Sequence, residues 1–324
     1  MTTRNVLLVW VALLAMMVCG CNKEKIGEQP EQQAPPAAEG APSVEPAEDE
    51  PDAPADTGAM EDEAPVDEAA VEEADEPETV PEPQAPPSWP VNRNRLVLAW
   101  EAAAGENVVT DPTTGEQPTL KARGAAQFNE NNAMVLGGGA YIVAGANDRL
   151  LSRCKETNEL TIEAIIQPDN LTQVGPARII SFSTDGALRN FTLGQAGKQL
   201  ILRLRTPSTG TNGVNPELKL MSVPAKEPSH VIITYKPGHT VVYLNGKEFC
   251  TSKAIAGDFS NWSPQHLIFG DEYADARDWS GTLEGVAIYS RFMEDEEATR
   301  NAELALQRLA QRRQTDQPGE PQDP

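Results

Sequence analysis

From about Arg95 onward, short apolar segments alternate with clusters of turn residues, and this rhythm confines the chain to an all-β fold. The segments are Leu96–Glu101, Ala133–Leu136, Tyr141–Val143, Leu160–Gln167, Arg178–Ser183, Phe191–Gly194, Leu200–Arg205, Leu218–Val223, His230–Tyr235, Thr240–Leu244, Leu267–Gly270 and Thr282–Tyr289. Strands this short and closely spaced build a sandwich or a barrel, and about 200 residues suffice for one two-sheet core. Two hairpins are legible. Asn245-Gly246 accepts the positive φ of a type I′ turn and should set Val242 opposite Phe249. A two-residue loop at Ala196-Gly197 pairs Phe191 with Leu202, Leu193 with Leu200 and Asn190 with Arg203. Near the C-terminus, Ala298, Ala302, Ala305, Leu306 and Leu309 recur at helical steps. Acidic residues open that segment, and Arg308, Arg312 and Arg313 close it, as the helix dipole favours. The reading is a helix over 294–313, packed on the sandwich edge, followed by a disordered tail over 314–324.

The first ninety residues are of another kind. Arg4 precedes an apolar run from Val6 to Val18, too short to cross a bilayer of about 30 Å as a helix. The run suits the core of a signal peptide over residues 1–20. It ends in Val18-Cys19-Gly20-Cys21, which resembles the bacterial lipobox and implies cleavage before Cys21 and lipidation on it; an ordinary cleaved signal is the alternative. Several acyl chains, at about 0.8 kcal/mol per buried CH₂, make a durable anchor. Asn22 stands where Asp marks inner-membrane retention in enteric bacteria, so the expected address is the outer membrane.

Residues 21–91 form a Pro/Ala/Glu-rich segment. From Asn22 to Val91 there are 21 acidic residues against two lysines, a net of −19 out of −23 for the whole chain. Such a composition cannot bury enough surface to offset chain entropy and is read as a disordered tether that gives the folded part reach. Non-specific binding of cations or cationic partners is the alternative role. The tether repels nucleic acid, and no basic patch elsewhere invites it. Cys154 and Cys250 are the two cysteines of the folded part. In an exported protein a disulfide between them is the simplest outcome, stabilising by about 4–5 kcal/mol in the chain-entropy model; two buried free thiols are the alternative.

Four stretches resemble one family. Leu160-Thr161-Ile162-Glu163-Ala164-Ile165-Ile166-Gln167-Pro168 is similar to a strand of laminin G-like, concanavalin A-like domains, with Ile165 in place of the usual Trp. His230-Val231-Ile232-Ile233-Thr234-Tyr235, Val242-Tyr243-Leu244-Asn245-Gly246-Lys247 and the closing Trp279–Arg291 segment follow in the family's order. The resemblance spans roughly residues 95–293 and implies a two-sheet antiparallel jelly roll, a domain placed here at 92–293. It also implies binding of glycans or proteins, sometimes through calcium, without naming a ligand.

Chemistry is sparse. The three histidines have no metal-ligand spacing, and no Gly-rich loop cradles phosphate. Glu159 and Glu163 resemble the strand carboxylates of laminarinase-type glycosidases. Those enzymes carry an acid between the two, where Thr161 stands here. The expectation is therefore a non-enzymatic module, with a glycosidase or a purely structural envelope protein as alternatives. Strand alternation places Asn190, Thr192, Arg203, Arg205, Glu217 and Lys219 on one polar sheet face. That face suits carboxylates or sulfates of a polysaccharide, or an envelope protein partner. The alternative is a solvated face held by cross-strand ion pairs. Asp271, Asp275 and Asp278 are candidate calcium ligands, the one cofactor entertained. Trp262, Tyr273 and Trp279 lie in the same region, to stack on sugar or to fill the core.

Overall fold

The computed structural model describes residues 89–104, 108 and 117–315. The proposed signal peptide, Cys21, the tether as far as residue 88 and the tail beyond 315 lie outside them; Trp89 to Val91, placed in the tether, belong instead to the folded part, because Trp89 is buried against it and the Val91 N–H donates to Asn301 Oδ1. The described residues fold as two antiparallel sheets with a C-terminal helix, as the segment rhythm and the motif order require. Sheet 1 contains β1 (Leu96–Glu101), β3 (Gln127–Phe128), β4 (Met134–Val135), β6 (Leu160–Pro168), β11 (Ser229–Lys236), β12 (His239–Leu244), β13 (Lys247–Ser252) and β15 (Gly281–Tyr289). Its order is β13-β12-β11-β6-β15-β4-β3, and β1 also pairs with β15. Sheet 2 contains β2 (Thr119–Gly124), β5 (Gly139–Ala144), β7 (Ala177–Ser183), β8 (Arg189–Ala196), β9 (Gln199–Leu204), β10 (Leu218–Ser222) and β14 (His266–Phe269). Its order is β10-β9-β8-β7-β14-β5-β2.

Period-two alternation sends one side chain of every pair inward. Ile162, Ala164 and Ile166 of β6 and Val231 and Ile233 of β11 meet Phe182, Phe191, Leu193 and Leu202 of sheet 2 in one buried core. Phe259 stacks on Trp262 at 4.1 Å between centroids, within the same core.

The hairpins form where the turn residues place them, with two corrections of register. Asn245 and Gly246 adopt φ of 51° and 79°, the turn their types allow. A bulge in β12–β13, however, puts Cys250 and not Phe249 opposite Val242, and Phe249 faces solvent. In β8–β9 the loop is Gly197-Lys198, so Phe191 meets Leu204 and Leu193 meets Leu202. Thr192, not Asn190, lies opposite Arg203. A shift of two residues keeps every side chain on its face, so the apolar pattern alone cannot detect it.

Two helices complete the fold. α1 (Asn147–Thr157) was not legible in the pattern, because it buries only Leu150 and Cys154. It ends at Asn158, whose left-handed φ of 57° brings its N–H to the Cys154 carbonyl. α2 (Asp295–Thr315) lies across the outer face of sheet 1 and not on its edge. There Ala298, Ala305 and Leu309 cover Ile165, Ile232, Tyr243 and Tyr289. Among the described residues no helix is long and apolar enough to cross a membrane.

The expected disulfide is absent. Cys154 and Cys250 are not joined. Cys154 projects from α1 into the intersheet core, where burial pushes its thiol pKa far up, while Cys250 sits on the edge strand β13. Chain separation fixes loop entropy but not whether two side chains face each other.

Candidate functional site

The outer face of sheet 1 is closed. Glu163 is fully buried, and four donors converge on it. Trp89 Nε1 (2.9 Å) and His230 Nε2 (2.8 Å) meet Oε1, and Tyr289 OH (3.1 Å) and Asn301 Nδ2 (3.0 Å) meet Oε2. Burial and the Glu163 charge raise the Tyr289 pKa well above its usual value, which keeps that hydroxyl a donor. Glu159 Oε2 accepts the Phe292 backbone N–H at 2.7 Å, and Thr161 Oγ1 is bonded to Thr234 Oγ1 and donates to the Arg291 carbonyl. The acid pair that resembled a glycosidase's is thus committed to holding β6 beneath Trp89 and α2.

The outer face of sheet 2 is differently built. Asn190 and Thr192, expected to be exposed, are fully buried. Asn190 Nδ2 donates to the Ser263 carbonyl at 2.8 Å, and Thr192 Oγ1 shares a hydrogen bond with Ser181 Oγ at 3.0 Å. Arg203 Nε donates to Glu217 Oε2 at 2.6 Å, the cross-strand ion pair of the alternative reading. Arg205 Nη1 reaches Ser263 Oγ at 3.2 Å. Lys219 is exposed.

Arginines that pattern reading missed join this face. Two bulges in β7–β8, one between Arg178 and Ile180 and one between Phe182 and Ser183, reverse the strand phase. They turn Arg178 and Arg189 from the inward phase of their neighbours to the outer side. Arg178 Nε and Nη2 bind Glu272 Oε2 at 3.3 and 3.2 Å, with both residues buried. Burial, followed by Arg178 and Arg203, lowers the Arg189 pKa to about 10. The out-of-phase arginines were the available signal, since a charge in an inward position requires either a partner or a bulge.

A cleft of about 210 Å³ opens where β10, the edge of sheet 2, faces β12 and β13 at the edge of sheet 1. Buried Leu220, Val242 and Thr240 line its inner part, and Glu217, Lys219 and Ser252 its more exposed part. The Thr240 hydroxyl is buried and has no hydrogen-bond partner. Two residues of the expected polar face, Glu217 and Lys219, therefore meet here with strands that sequence reading had not associated with them.

Asp271, Asp275 and Asp278 do converge, with carboxylate oxygens within 4.8 Å of one another. Calcium would need three to five further oxygens. Asp271 Oδ1 already accepts the N–H groups of Glu272 and Arg277, and Arg123 Nη2 sits 2.6 Å from Asp271 Oδ2 and 3.5 Å from Asp275 Oδ1. A guanidinium thus stands in the place a cation would take, and the donor set fits calcium poorly. Burial, with Asp278 and Asp275 adding to it, pushes the Asp271 pKa up to about 6. Of the nearby aromatics, Trp262 and Trp279 are buried, their indole N–H groups donating to the Arg205 carbonyl and to Gln195 Oε1. Tyr273 is partly exposed and stacks on His266 at 3.8 Å.

With this geometry in hand, comparison with known proteins is informative about the fold. A family model described as the concanavalin A-like lectin/glucanases superfamily matches residues 136–299. No curated protein matches the chain. Among solved structures, the binding domain of botulinum neurotoxin DC in complex with SialylT is similar at 16% identity and a TM-score of 0.50, covering 66% of this chain and 52% of that one. The same domain in complex with rat synaptotagmin II gives 16% identity and a TM-score of 0.50, over 65% of this chain and 52% of the other. A structure of botulinum neurotoxin type C, a toxin whose cell entry is dependent upon interaction with two ganglioside molecules, gives 13% identity and a TM-score of 0.50, over 65% of this chain and 51% of the other. The chain spans about half the length of these structures.

Proposed function

Because the chain belongs to the concanavalin A-like lectin/glucanases superfamily, we propose that it is a binding module without catalytic activity, with its ligand seated on the sheet 2 side. One observation carries this reading: the cleft between β10 and β12–β13, with an apolar inner wall and a buried Thr240 hydroxyl lacking a partner. Ligand sites are typically concave and largely apolar, with a few placed polar groups. A sugar ring supplies both an apolar face for Leu220 and Val242 and hydroxyls for Thr240 and the polar rim. The similar toxin binding domains named above are associated with SialylT, synaptotagmin and ganglioside, so glycan is the first ligand class and protein the second.

Catalysis is disfavoured by the commitment of Glu159 and Glu163 to structural bonds. The module is proposed to hang from a lipidated Cys21 on the acidic tether, at the outer membrane. A Cys21→Ser chain should then leave the membrane fraction, and its persistence there would remove the anchor from the proposal. The binding reading is tested on a glycan array with the mature protein. Binding is expected, and Thr240→Val should weaken it about tenfold, the worth of one hydrogen bond. Sugar release from a polysaccharide, lost in Glu163→Gln, would reverse the assignment in favour of an enzyme.

A further inference from the structure

On the outer face of sheet 2 the guanidinium groups are not equally provided for. Arg178 has Glu272, Arg203 has Glu217, and Arg277 Nε lies 3.9 Å from the second oxygen of Glu272. Arg189 is fully buried and has only the Gly186 carbonyl, which accepts from its Nη2. Its Nε and Nη1 are buried without a partner. Its neighbours Arg178 and Arg203 carry like charge and disfavour it further, against smaller favourable contributions from Glu272 and Asp185. An arginine does not shed its proton at ordinary pH, so the charge cannot be relieved that way. Buried polar groups without partners are uncommon in folded proteins and call for an explanation, a bound ion among the options. Leaving a buried charge uncompensated is among the costlier arrangements a fold can keep.

We propose that Arg189, together with Arg203, holds an oxyanion: the carboxylate or sulfate group of an acidic sugar. Arg189 provides two open donors in a low-dielectric setting, and Arg203, which is part-exposed, lies close enough to act on its charge. Glu217 both pairs with Arg203 and lines the cleft, so the anion site and the cleft lie along one strip of β8, β9 and β10. The anion site stands on its own geometry; only the sugar as its source rests on the binding-module reading.

The test is thermal unfolding of the full mature protein in sulfate, with chloride replacing it at constant ionic strength, alongside the Arg189 Nε–H resonance. Sulfate is expected to raise the Tm saturably and to move that resonance. Arg189→Met should lower the apparent sulfate affinity at least about tenfold, and Arg203→Gln by less. Equal responses of wild type and Arg189→Met, with a resonance that does not move, overturn the site, even where neutral glycans still bind and the binding-module reading stands. Retention on polygalacturonate or dextran sulfate that is lost in Arg189→Met supports the sugar as the source. A sulfate response without that retention overturns the sugar and leaves an anion site.

Discussion

The outer faces of the two sheets solve opposite problems. On sheet 1 a single buried carboxylate, Glu163, receives four donors under Trp89 and α2. On sheet 2 a buried guanidinium, Arg189, has two donors and no acceptor for them. In the first arrangement both carboxylate oxygens are supplied in the free protein, with only His230 Nδ1 left without a partner, so the acid itself has little to gain from a ligand. The second is incomplete and gains from one. Although family resemblance draws attention to the acidic pair on β6, satisfaction of hydrogen bonds points to the other sheet.

The largest effect that could break this contrast is at Glu163. Glu163→Ala strands four buried donors, and urea unfolding should show a loss of about 3–5 kcal/mol. A loss below about 1 kcal/mol would mean that the face is not locked as described. Arg189→Met should move stability the other way, up by about 1–2 kcal/mol in the absence of sulfate, because it removes a buried charge that burial, Arg178 and Arg203 disfavour more than Glu272 and Asp185 favour it. Destabilisation there would reveal a partner for Arg189 and equalise the two faces. Glu101→Gln comes next. Glu101 accepts from Arg308 at 2.8 and 2.9 Å and from Arg312 at 2.8 Å, joining α2 to the sandwich. A loss of about 1–2 kcal/mol is expected, read in the same unfolding curves.

The smallest effect concerns pH. The Asp271 pKa is raised to about 6 from 3.8, so between those values the folded state binds more protons than the unfolded one. This contribution favours folding at low pH and declines as pH rises through about 6. Asp278→Asn removes a neighbouring charge that raises Asp271, and should narrow that decline in Tm measured across pH 4 to 7. An unchanged slope would detach Asp278 from Asp271.

Much of the fold was legible because alternation and turn chemistry are local. The strand segments, the Asn245-Gly246 turn and the C-terminal helix all follow from neighbours in sequence. The β8–β9 register was not, since a shift by two preserves every facing. α1 was not, since two buried side chains in eleven residues make no stripe. The expected binding face was legible only in outline. Arg203, Glu217 and Lys219 do lie outward, but Asn190 and Thr192 are covered by contacts with Ser263 and Ser181 that sequence distance hides. Arg189 was missed because alternation counts it inward with Phe191, and only the bulge at Asn190 turns it out. Its charge in an apolar phase was the sign that alternation had failed at that point.

The central claim is that ligand meets sheet 2 and the adjoining cleft, not the Glu163 face. Hydrogen–deuterium exchange of the protein with a glycan found on the array tests it most directly. The account expects slowed exchange in β8, β9, β10 and β12–β13, with α2 and β6 unchanged. Protection centred on β6, Trp89 and α2, with the sheet 2 strands unaffected, would contradict it.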